Sequence, residues 1–178
     1  MEGWLILPPT TVGIAIGLSI SALCSDHWTQ TPAANSGLWS ACYYKDESQE
    51  WICGDAEWEH PNWILAVKVL VIISVGLGLL TAISELMAVV NKSAGWSRLA
   101  FFVVIFQEIF LAVGLFVFFG YVMNYRDRSD LSWSYALGWI SVGFYVLGLI
   151  FFSQQAKRLR SDDEYERIGG YGYTMSRD

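Results

Sequence analysis

Four runs of about 20 or more mostly apolar residues restrict what this chain can fold into. Each run is long enough to cross a bilayer as a helix, and only helices or closed barrels satisfy their backbone hydrogen bonds in lipid. The runs lack the alternating pattern of about ten residues that barrel strands show. The sequence therefore predicts an all-α membrane protein with a bundle of four transmembrane helices, at about residues 5–24, 63–90, 98–123 and 133–154.

The composition agrees with a chain whose surface is covered largely by lipid. Of its 178 residues, 54% are hydrophobic and 16% are charged. A soluble protein of this length has about a quarter of its residues charged. We therefore expect one transmembrane domain, residues 1–155, followed by a polar tail at residues 156–178.

The segment between the first two runs, residues 25–62, is polar, acidic and rich in aromatic residues. It has a single basic residue, Lys45, against seven acidic ones. A disordered loop would not carry so many aromatic residues, so we expect a folded loop domain. Residues 37–44 and 49–53 have strand-like composition around a polar turn at residues 45–48, which indicates a small β-hairpin.

Basic residues are distributed unevenly around the predicted helices, and this bias predicts the orientation. With both termini inside, seven basic residues face the cytosol and three or four face outward. Because cytosolic loops carry an excess of Lys and Arg, we expect a multi-pass plasma-membrane protein with both termini in the cytosol. The loop domain and a second loop, residues 124–132, are then extracellular, and the tail is cytosolic.

The three cysteines fit one disulfide and one free thiol. Cys42 and Cys53 lie in the predicted loop domain, on the side of the membrane where disulfides persist. Their pairing would close a loop of about a dozen residues and stabilise it by about 3 kcal/mol. A zinc site at these positions would need two further ligands at suitable spacing. The sequence therefore favours a disulfide over a metal centre.

The remaining polar residues indicate no catalytic chemistry. A few side chains of the loop domain are of types that bind zinc or calcium, although acidic loop residues are more often solvated surface: Asp26, His27, Glu57, Glu59 and His60. The chain shows no nucleophile elbow, phosphate-binding loop or constellation of paired carboxylates of the kind that acts in catalysis. We expect no enzymatic activity, no cofactor or metal, no small-molecule substrate and no nucleic-acid partner.

Two stripes of small residues predict where helices pack closely. Residues of each stripe recur every four positions, and they are Gly13, Gly17 and Ser21 in the first run and Ser74, Gly78 and Ala82 in the second. Small residues allow helix backbones to approach one another in lipid. Glycine is also common in membrane helices generally, which leaves an alternative interpretation open.

Two acidic residues fall within the predicted helices. Glu108 lies near mid-membrane, where an acid suggests a functional role, but a protonated acid bonded to a neighbouring helix is the plainer interpretation. Its candidate partners by depth are Ser19, Ser74 and Tyr145, with Gln107 next in sequence. Glu85 lies near the inner interface, where its side chain can reach the interface or meet Arg98.

The tail contains a tyrosine-x-x-hydrophobic tetrapeptide, from Tyr165 to Ile168. Endocytic adaptors bind motifs of this type, and we note it as a possible sorting signal that also arises often by chance.

The loop residues resemble the signature of the claudin superfamily. This group includes claudins, the peripheral myelin and epithelial membrane proteins, the lens fibre membrane protein and the gamma subunits of calcium channels. The resemblance rests on Trp28, Gly37, Leu38, Trp39, Cys42 and Cys53 between the first two helices, and on Lys68 where many members carry an arginine. The spacing from Trp28 to Gly37 and residues 132–139 look more like the myelin and lens branch.

The resemblance implies a left-handed four-helix bundle under a small extracellular antiparallel sheet, with one strand supplied by the second outer loop. It implies that Trp28, Gly37, Leu38 and Trp39 pack the sheet onto the bundle. It also implies that the disulfide holds the hairpin of this sheet together.

Two functions are therefore expected from the sequence. One is a role at cell–cell contacts, as adhesion or as a paracellular barrier or channel, with lipid and like or related molecules in cis and in trans as partners. An acidic loop domain would favour cations in any such channel. The alternative is an auxiliary, gamma-type subunit of an ion channel or receptor complex.

Overall fold

The computed structural model describes residues 3–56, 61–125 and 131–174. The described chain contains four helices and four strands. In chain order they are α1 (Gly3–Cys24), β1 (Thr29–Thr31), β2 (Ala34–Ser36), β3 (Ser40–Lys45), β4 (Glu50–Asp55), α2 (Pro61–Asn91), α3 (Ala94–Tyr125) and α4 (Trp133–Thr174).

All four helices are long and apolar enough to cross a membrane, and the spans are Ile6–Cys24, Trp63–Asn91, Ala94–Asn124 and Trp133–Ser161. Their outward faces are apolar: Leu86, Phe102 and Phe116 are each 60% exposed. Such faces would be costly in water and are covered by lipid in a membrane. Together with the small antiparallel sheet, this confirms the predicted class of membrane fold.

The helices pack in a ring, in which α1 contacts α2 and α4, and α3 contacts the same two helices. The centre of the ring is filled by apolar side chains from all four helices. They include Val12, Val67, Val71, Val104, Leu111, Leu115, Tyr145 and Phe152, each at most 1% exposed.

The turn between α2 and α3 is closed by the backbone. Lys92 adopts a left-handed conformation with φ of 47°, and the Ser93 N–H donates to the Ala88 carbonyl over 3.2 Å. This pairing ends a helix in the Schellman manner and satisfies a carbonyl that the helix leaves free. It allows α3 to begin at Ala94 and run back along α2.

The sheet is antiparallel in the order β1-β2-β3-β4. The β3–β4 hairpin was predicted from composition, and its register places Cys42 opposite Cys53. The strand expected from the second outer loop is represented by a single bridge, between Thr29 and Leu131. Residues 126–130 of that loop lie outside the described part of the chain.

The small-residue stripe of α1 does not pack within the bundle, so that prediction is wrong for contacts inside one copy of the chain. Gly13, Gly17 and Ser21 are exposed, and a Cβ added at either glycine would meet nothing within 4 Å. The adjoining face of α1, with Val12 and Ala15, is fully buried instead. The four-residue spacing of small residues showed that one face of α1 allows another helix to approach closely. The bundle packs on the adjoining face instead, because its larger side chains provide more contact area.

The stripe of α2, in contrast, faces the interior. Ser74 is fully buried, and Ala82 packs against the core. A Cβ on Gly78 would lie 3.0 Å from the Tyr145 hydroxyl and 3.2 Å from Gln107 Nε2. The absence of a side chain at Gly78 therefore lets polar groups of α3 and α4 come close to the α2 backbone.

The last helix continues well beyond its apolar run. The predicted tail, residues 156–178, is helical as far as Thr174. Tyr165 and Ile168 thus lie within α4, in a part where the backbone alone is described. The role of the tetrapeptide as a sorting signal stays a prediction.

The side chain of Glu85 was expected to reach the membrane interface or meet Arg98, and it does neither. Its side chain is fully buried next to Gln155, whereas Arg98 is exposed. The error arose because depth along a helix was read from sequence, but the face on which a residue lies depends on how the helices pack.

Candidate functional site

The sheet and its connections, residues 25–56, sit on one end of the bundle; we call them the sheet domain. Trp28 fastens this domain to the helices. Its side chain is 1% exposed, and its Nε1 donates to the Ala22 carbonyl at the end of α1 over 2.7 Å. Its ring meets Phe118 of α3 and Tyr135 of α4 edge-on, at 4.8 and 6.1 Å between centroids. One residue therefore joins three helices.

The backbone of Trp28 also joins the sheet domain to the end of the second outer loop. Its N–H donates to the Ser36 carbonyl over 2.9 Å, and its carbonyl accepts from the Ser132 N–H over 3.0 Å. Since Ser132 directly precedes α4, this hydrogen bond connects the sheet to the start of the last helix.

Gly37 is required by a close approach of two backbones. A Cβ at this position would lie 2.5 Å from the Asp26 Cα and 2.6 Å from the Ser25 carbonyl oxygen. No side chain fits at such distances. The next residue, Leu38, is fully buried in the core. The Gly-Leu pair therefore places the chain tightly over the end of α1 and inserts one apolar anchor.

Trp39 and Lys68 form a cap at the edge of this junction. Trp39 is 43% exposed, and its Nε1 donates to the Leu23 carbonyl over 2.8 Å. The Lys68 ammonium lies 5.0 Å from the centroid of the Trp39 ring and 3.9 Å from an Asp55 carboxylate oxygen. The lysine of α2 thus meets both the Gly-Leu-Trp segment and the end of β4.

Replacing Lys68 with methionine should lower the melting temperature of the purified protein and its amount at the cell surface. The change removes a cation–π contact worth about 0.5–2 kcal/mol. It also removes an ion pair at 3.9 Å, in which Lys68 is buried but the Asp55 carboxylate is half exposed and partly screened by water. Lys68→Arg should retain most of the stability, and Asp55→Asn should have a smaller effect than Lys68→Met. An equal decrease in melting temperature for Lys68→Met and Asp55→Asn would show that the ion pair, rather than the aromatic contact, stabilises the cap.

A disulfide closes the hairpin at its middle. Cys42 and Cys53 are bonded, and they are directly opposed in the β3–β4 register. Cys24 is the free thiol and is exposed at the end of α1. The covalent link restricts the unfolded chain and keeps two exposed strands paired.

The comparisons with known proteins agree with this geometry. The family model described as PMP-22/EMP/MP20/Claudin matches residues 5–152, which include the first three membrane spans, the sheet domain and most of the fourth span. The chain belongs to this family. No curated protein sequence matches it closely enough to count as a relative. The PMP-22/EMP/MP20/Claudin family is generally one of non-enzymatic structural membrane proteins.

In this claudin-family chain, the far end of the hairpin projects from the junction and exposes large apolar side chains on both faces. Tyr43 and Ile52 are paired on one face, and Tyr44 and Trp51 are paired on the other. Trp51 is 52% exposed and meets Tyr44 edge-on at 5.6 Å. We call these four residues the hairpin tip. Sequence reasoning predicted the hairpin but missed this surface, although four large apolar side chains beside an acidic turn were a visible signal.

The tip is surrounded by charge. The turn carries Asp46 and Glu47, Glu50 begins β4, and Lys45 pairs with Glu47 at 3.5 Å. Aromatic side chains bordered by charged groups are typical of protein–protein contact surfaces, where the apolar centre provides affinity and the charged rim provides specificity. The sheet domain thus has the surface chemistry of an interaction site.

The other candidate residues do not come together into a site. Within the described ranges, no group of three His, Cys, Asp or Glu side chains could hold a metal ion. His27 instead lies 5.9 Å from the Trp133 ring. Three of the acidic-loop candidates, Glu57, Glu59 and His60, lie outside the described residues.

Glu108 is partly exposed on α3. Its Oε1 is buried and has no hydrogen-bond partner among the described residues. Of the partners expected by depth, Ser19 bonds instead to Ser141 over 3.1 Å, and Tyr145 lies against Gly78 and Gln107. Glu108 Oε1 therefore makes no hydrogen bond to these expected partners.

Proposed function

We propose that this claudin-family protein acts at cell–cell contacts, where its sheet domain binds like or related molecules in adhesion or in assembly of a paracellular barrier or channel. The observation that carries this proposal is the hairpin tip. Aromatic side chains provide much contact area at low entropy cost, and exposing four large apolar ones in water is costly unless a partner covers them.

The proposed orientation places the tip on the extracellular side. Lys45 is the one basic residue of the described sheet domain, whereas Lys92, Arg98, Lys157, Arg158 and Arg160 lie at the other end of the bundle. Basic residues collect on the cytosolic side of membrane proteins. An oxidising exterior also suits the Cys42–Cys53 disulfide. Both features support cytosolic termini and an exterior sheet domain.

The junction below the tip supports the same proposal. An adhesive surface must be held in a fixed direction, because ordering a loose surface on binding costs free energy. Trp28, Gly37 and Lys68 join the sheet to α1, α2, α3 and α4. The disulfide fixes the two strands that carry the tip. The surface is therefore presented on a pre-ordered support.

The test is a cell-mixing experiment with a double variant, Tyr44→Thr and Trp51→Thr. Threonine keeps the strand propensity of both positions while removing the aromatic surface. Wild-type protein should concentrate where two expressing cells meet and not where an expressing cell meets a non-expressing one. The double variant should reach the surface in normal amounts, measured by surface biotinylation, and lose that enrichment.

A matched control is available at the residue pair next to Tyr44 and Trp51 in the β3–β4 register. Lys45 and Glu50 are opposite one another on the same two strands, and Lys45→Thr with Glu50→Thr leaves the net charge unchanged. This control changes the charged rim and keeps the apolar centre, so it should retain more enrichment at contacts than the aromatic double variant. Normal enrichment of the aromatic double variant, or an unchanged transepithelial resistance with no enrichment of wild type, would contradict the proposal.

A second function is favoured by one observation. Glu108 is partly exposed on a membrane-spanning helix, and its buried Oε1 accepts no hydrogen bond within the described chain. An acid left this way in a span suits contact with a neighbouring transmembrane protein, as in an auxiliary subunit of a channel or receptor. Native copurification distinguishes the two. If a channel copurifies in stoichiometric amounts with wild type and not with Glu108→Gln, the auxiliary-subunit function is favoured over the role at cell–cell contacts.

A further inference from the structure

Three buried polar side chains lie near the end of the bundle opposite the sheet. Glu85 of α2 and Ser97 of α3 are 0% exposed, and Gln155 of α4 is 4% exposed. Buried polar groups are normally hydrogen-bonded, since leaving one unpaired costs about 1–3 kcal/mol. This group of three, which we call the polar triad, therefore needs an explanation.

Five atoms of the triad have no hydrogen bond of good geometry among the described residues. They are both carboxylate oxygens of Glu85, the hydroxyl of Ser97, and Oε1 and Nε2 of Gln155. Gln155 is nevertheless the polar neighbour that acts on the Glu85 carboxyl group. Glu85 and Gln155 are thus neighbours, and their polar atoms lack hydrogen bonds of good geometry.

Helix pairing places the three at one level. The α3–α4 contact between Leu115 and Gly138 fixes the register of those helices. Ser97 lies about 18 residues before Leu115, and Gln155 about 17 residues after Gly138, so both are displaced by roughly 26 Å along antiparallel helices. Glu85 is at the same level because it is beside Gln155. The three buried polar side chains therefore lie at one level of the bundle, which is the arrangement that a shared site requires.

A charged carboxylate would not be stable here without a partner. The basic side chains of Lys92, Arg98, Lys157 and Arg160 at this end are exposed, and both carboxylate oxygens of Glu85 lack a hydrogen-bond partner in the described part of the chain. The charge must therefore be neutralised by something small enough to enter the site, which leaves a proton or a metal cation.

The number of ligands decides between the two. A cation would find at most four protein oxygens here, two from Glu85 and one each from Ser97 and Gln155, whereas calcium takes about six to eight oxygen ligands and magnesium requires octahedral coordination. A neutral carboxyl group uses every atom if a water molecule is added. The carboxyl group and the Gln155 amide then pair with each other, and the water bridges them to the Ser97 hydroxyl. Buried waters typically make about three such hydrogen bonds.

We propose that Glu85, Ser97 and Gln155 form a binding site for one proton and at least one water molecule, which together tie α2, α3 and α4 at the end opposite the sheet. This site is independent of the proposed contact function. It secures the bundle at the level where α4 leaves the apolar span and continues into the helical tail.

Infrared spectroscopy of the protein in lipid nanodiscs at neutral pH tests the proposal. Glu108→Gln serves as the background, because it removes the other acid of the spans. This protein should show a carbonyl stretching band of a buried carboxylic acid, shifted in heavy water, and the band should be lost when Glu85→Gln is added. Ser97→Ala should shift the band without abolishing it, since the carboxyl group keeps Gln155 but loses part of the water contact.

Thermal unfolding provides the second measurement. Glu85→Gln should melt close to wild type because it keeps a neutral polar group in the site, whereas Glu85→Leu should melt at lower temperature. The melting temperature of wild type should be the same in sodium, potassium and choline chloride at equal ionic strength. Absence of the carboxylic acid band, or stabilisation by sodium or potassium that Glu85→Gln abolishes, would overturn the proposal.

Discussion

Replacing Trp28 with alanine should destabilise this protein more than any other single truncation in the sheet domain. Trp28 is 1% exposed, contacts rings of two helices and donates to the end of a third. Truncating a buried Trp costs about 3–5 kcal/mol, and the Ala22 carbonyl would also lose a donor. We expect a strong reduction at the cell surface and a much lower melting temperature after purification.

Trp28→Phe separates the two contributions. Phenylalanine keeps an apolar ring against Phe118 and Tyr135 but cannot donate to Ala22, so the free energy of unfolding should fall by about 1 kcal/mol from the lost hydrogen bond. The amount of protein at the cell surface should fall less than it does for Trp28→Ala. Surface biotinylation and thermal unfolding in nanodiscs measure both variants. A Trp28→Ala protein that melts and traffics as wild type would mean that the sheet domain is not fastened to the bundle at this residue.

The second large effect is expected for Gly37→Ala, which adds a single methyl group. At 2.5 Å from the Asp26 Cα and 2.6 Å from the Ser25 carbonyl oxygen, the methyl group would clash with backbone atoms that cannot rotate away. Overpacking usually costs about 1–3 kcal/mol when side chains can adjust, and here the backbone itself must shift. We expect the sheet domain to separate locally from α1, with retention of the variant inside the cell.

The same substitution in α1 is the control. Gly13→Ala and Gly17→Ala place the methyl group where nothing lies within 4 Å. Alanine is a better helix former than glycine by about 1 kcal/mol, so these variants should be neutral or slightly stabilised in monomeric form. If Gly37→Ala behaved like Gly17→Ala, the close approach at the junction would not be needed for folding.

These effects follow from the way in which the sheet is mounted. The chain leaves α1, crosses closely over its end at Gly37, and inserts Leu38 into the core. Lys68 then holds the following tryptophan from α2. Replacing the aromatic residues of the hairpin tip should leave this junction intact. Replacing Trp28 or Gly37 should instead displace the tip relative to the helices while the side chains of the tip stay the same. The two classes of variant therefore separate binding from presentation.

The sequence predicted what depends on length and local composition. Four apolar runs were sufficient to predict four spans, because a bilayer requires about 20 residues per helix. The polar turn between strand-like runs predicted the β3–β4 hairpin, and two cysteines in that hairpin predicted its disulfide. The strands β1 and β2, three residues each, are too short to leave a pattern in the sequence.

What depends on the packing of helices could not be predicted in the same way. The stripes of α1 and α2 are similar in sequence, yet Gly17 is exposed and Gly78 is buried. Lipid and the bundle interior are both apolar, so hydrophobic periodicity does not separate the two faces of a membrane helix. For the same reason the side chain of Glu85 was expected to reach the interface or Arg98, and it is buried between helices instead.

The central claim is that the sheet domain lies outside the cell while the α2–α3 turn lies inside. Asp46→Asn creates an Asn-x-Ser acceptor in the exposed hairpin turn, and the wild-type chain already has this pattern at Asn91-Lys92-Ser93. Expressed in cultured cells, the Asp46→Asn protein should gain a mass that glycosidase removes, and wild type should not. An unmodified Asp46→Asn protein together with a glycan on wild type that Asn91→Gln abolishes would contradict the account.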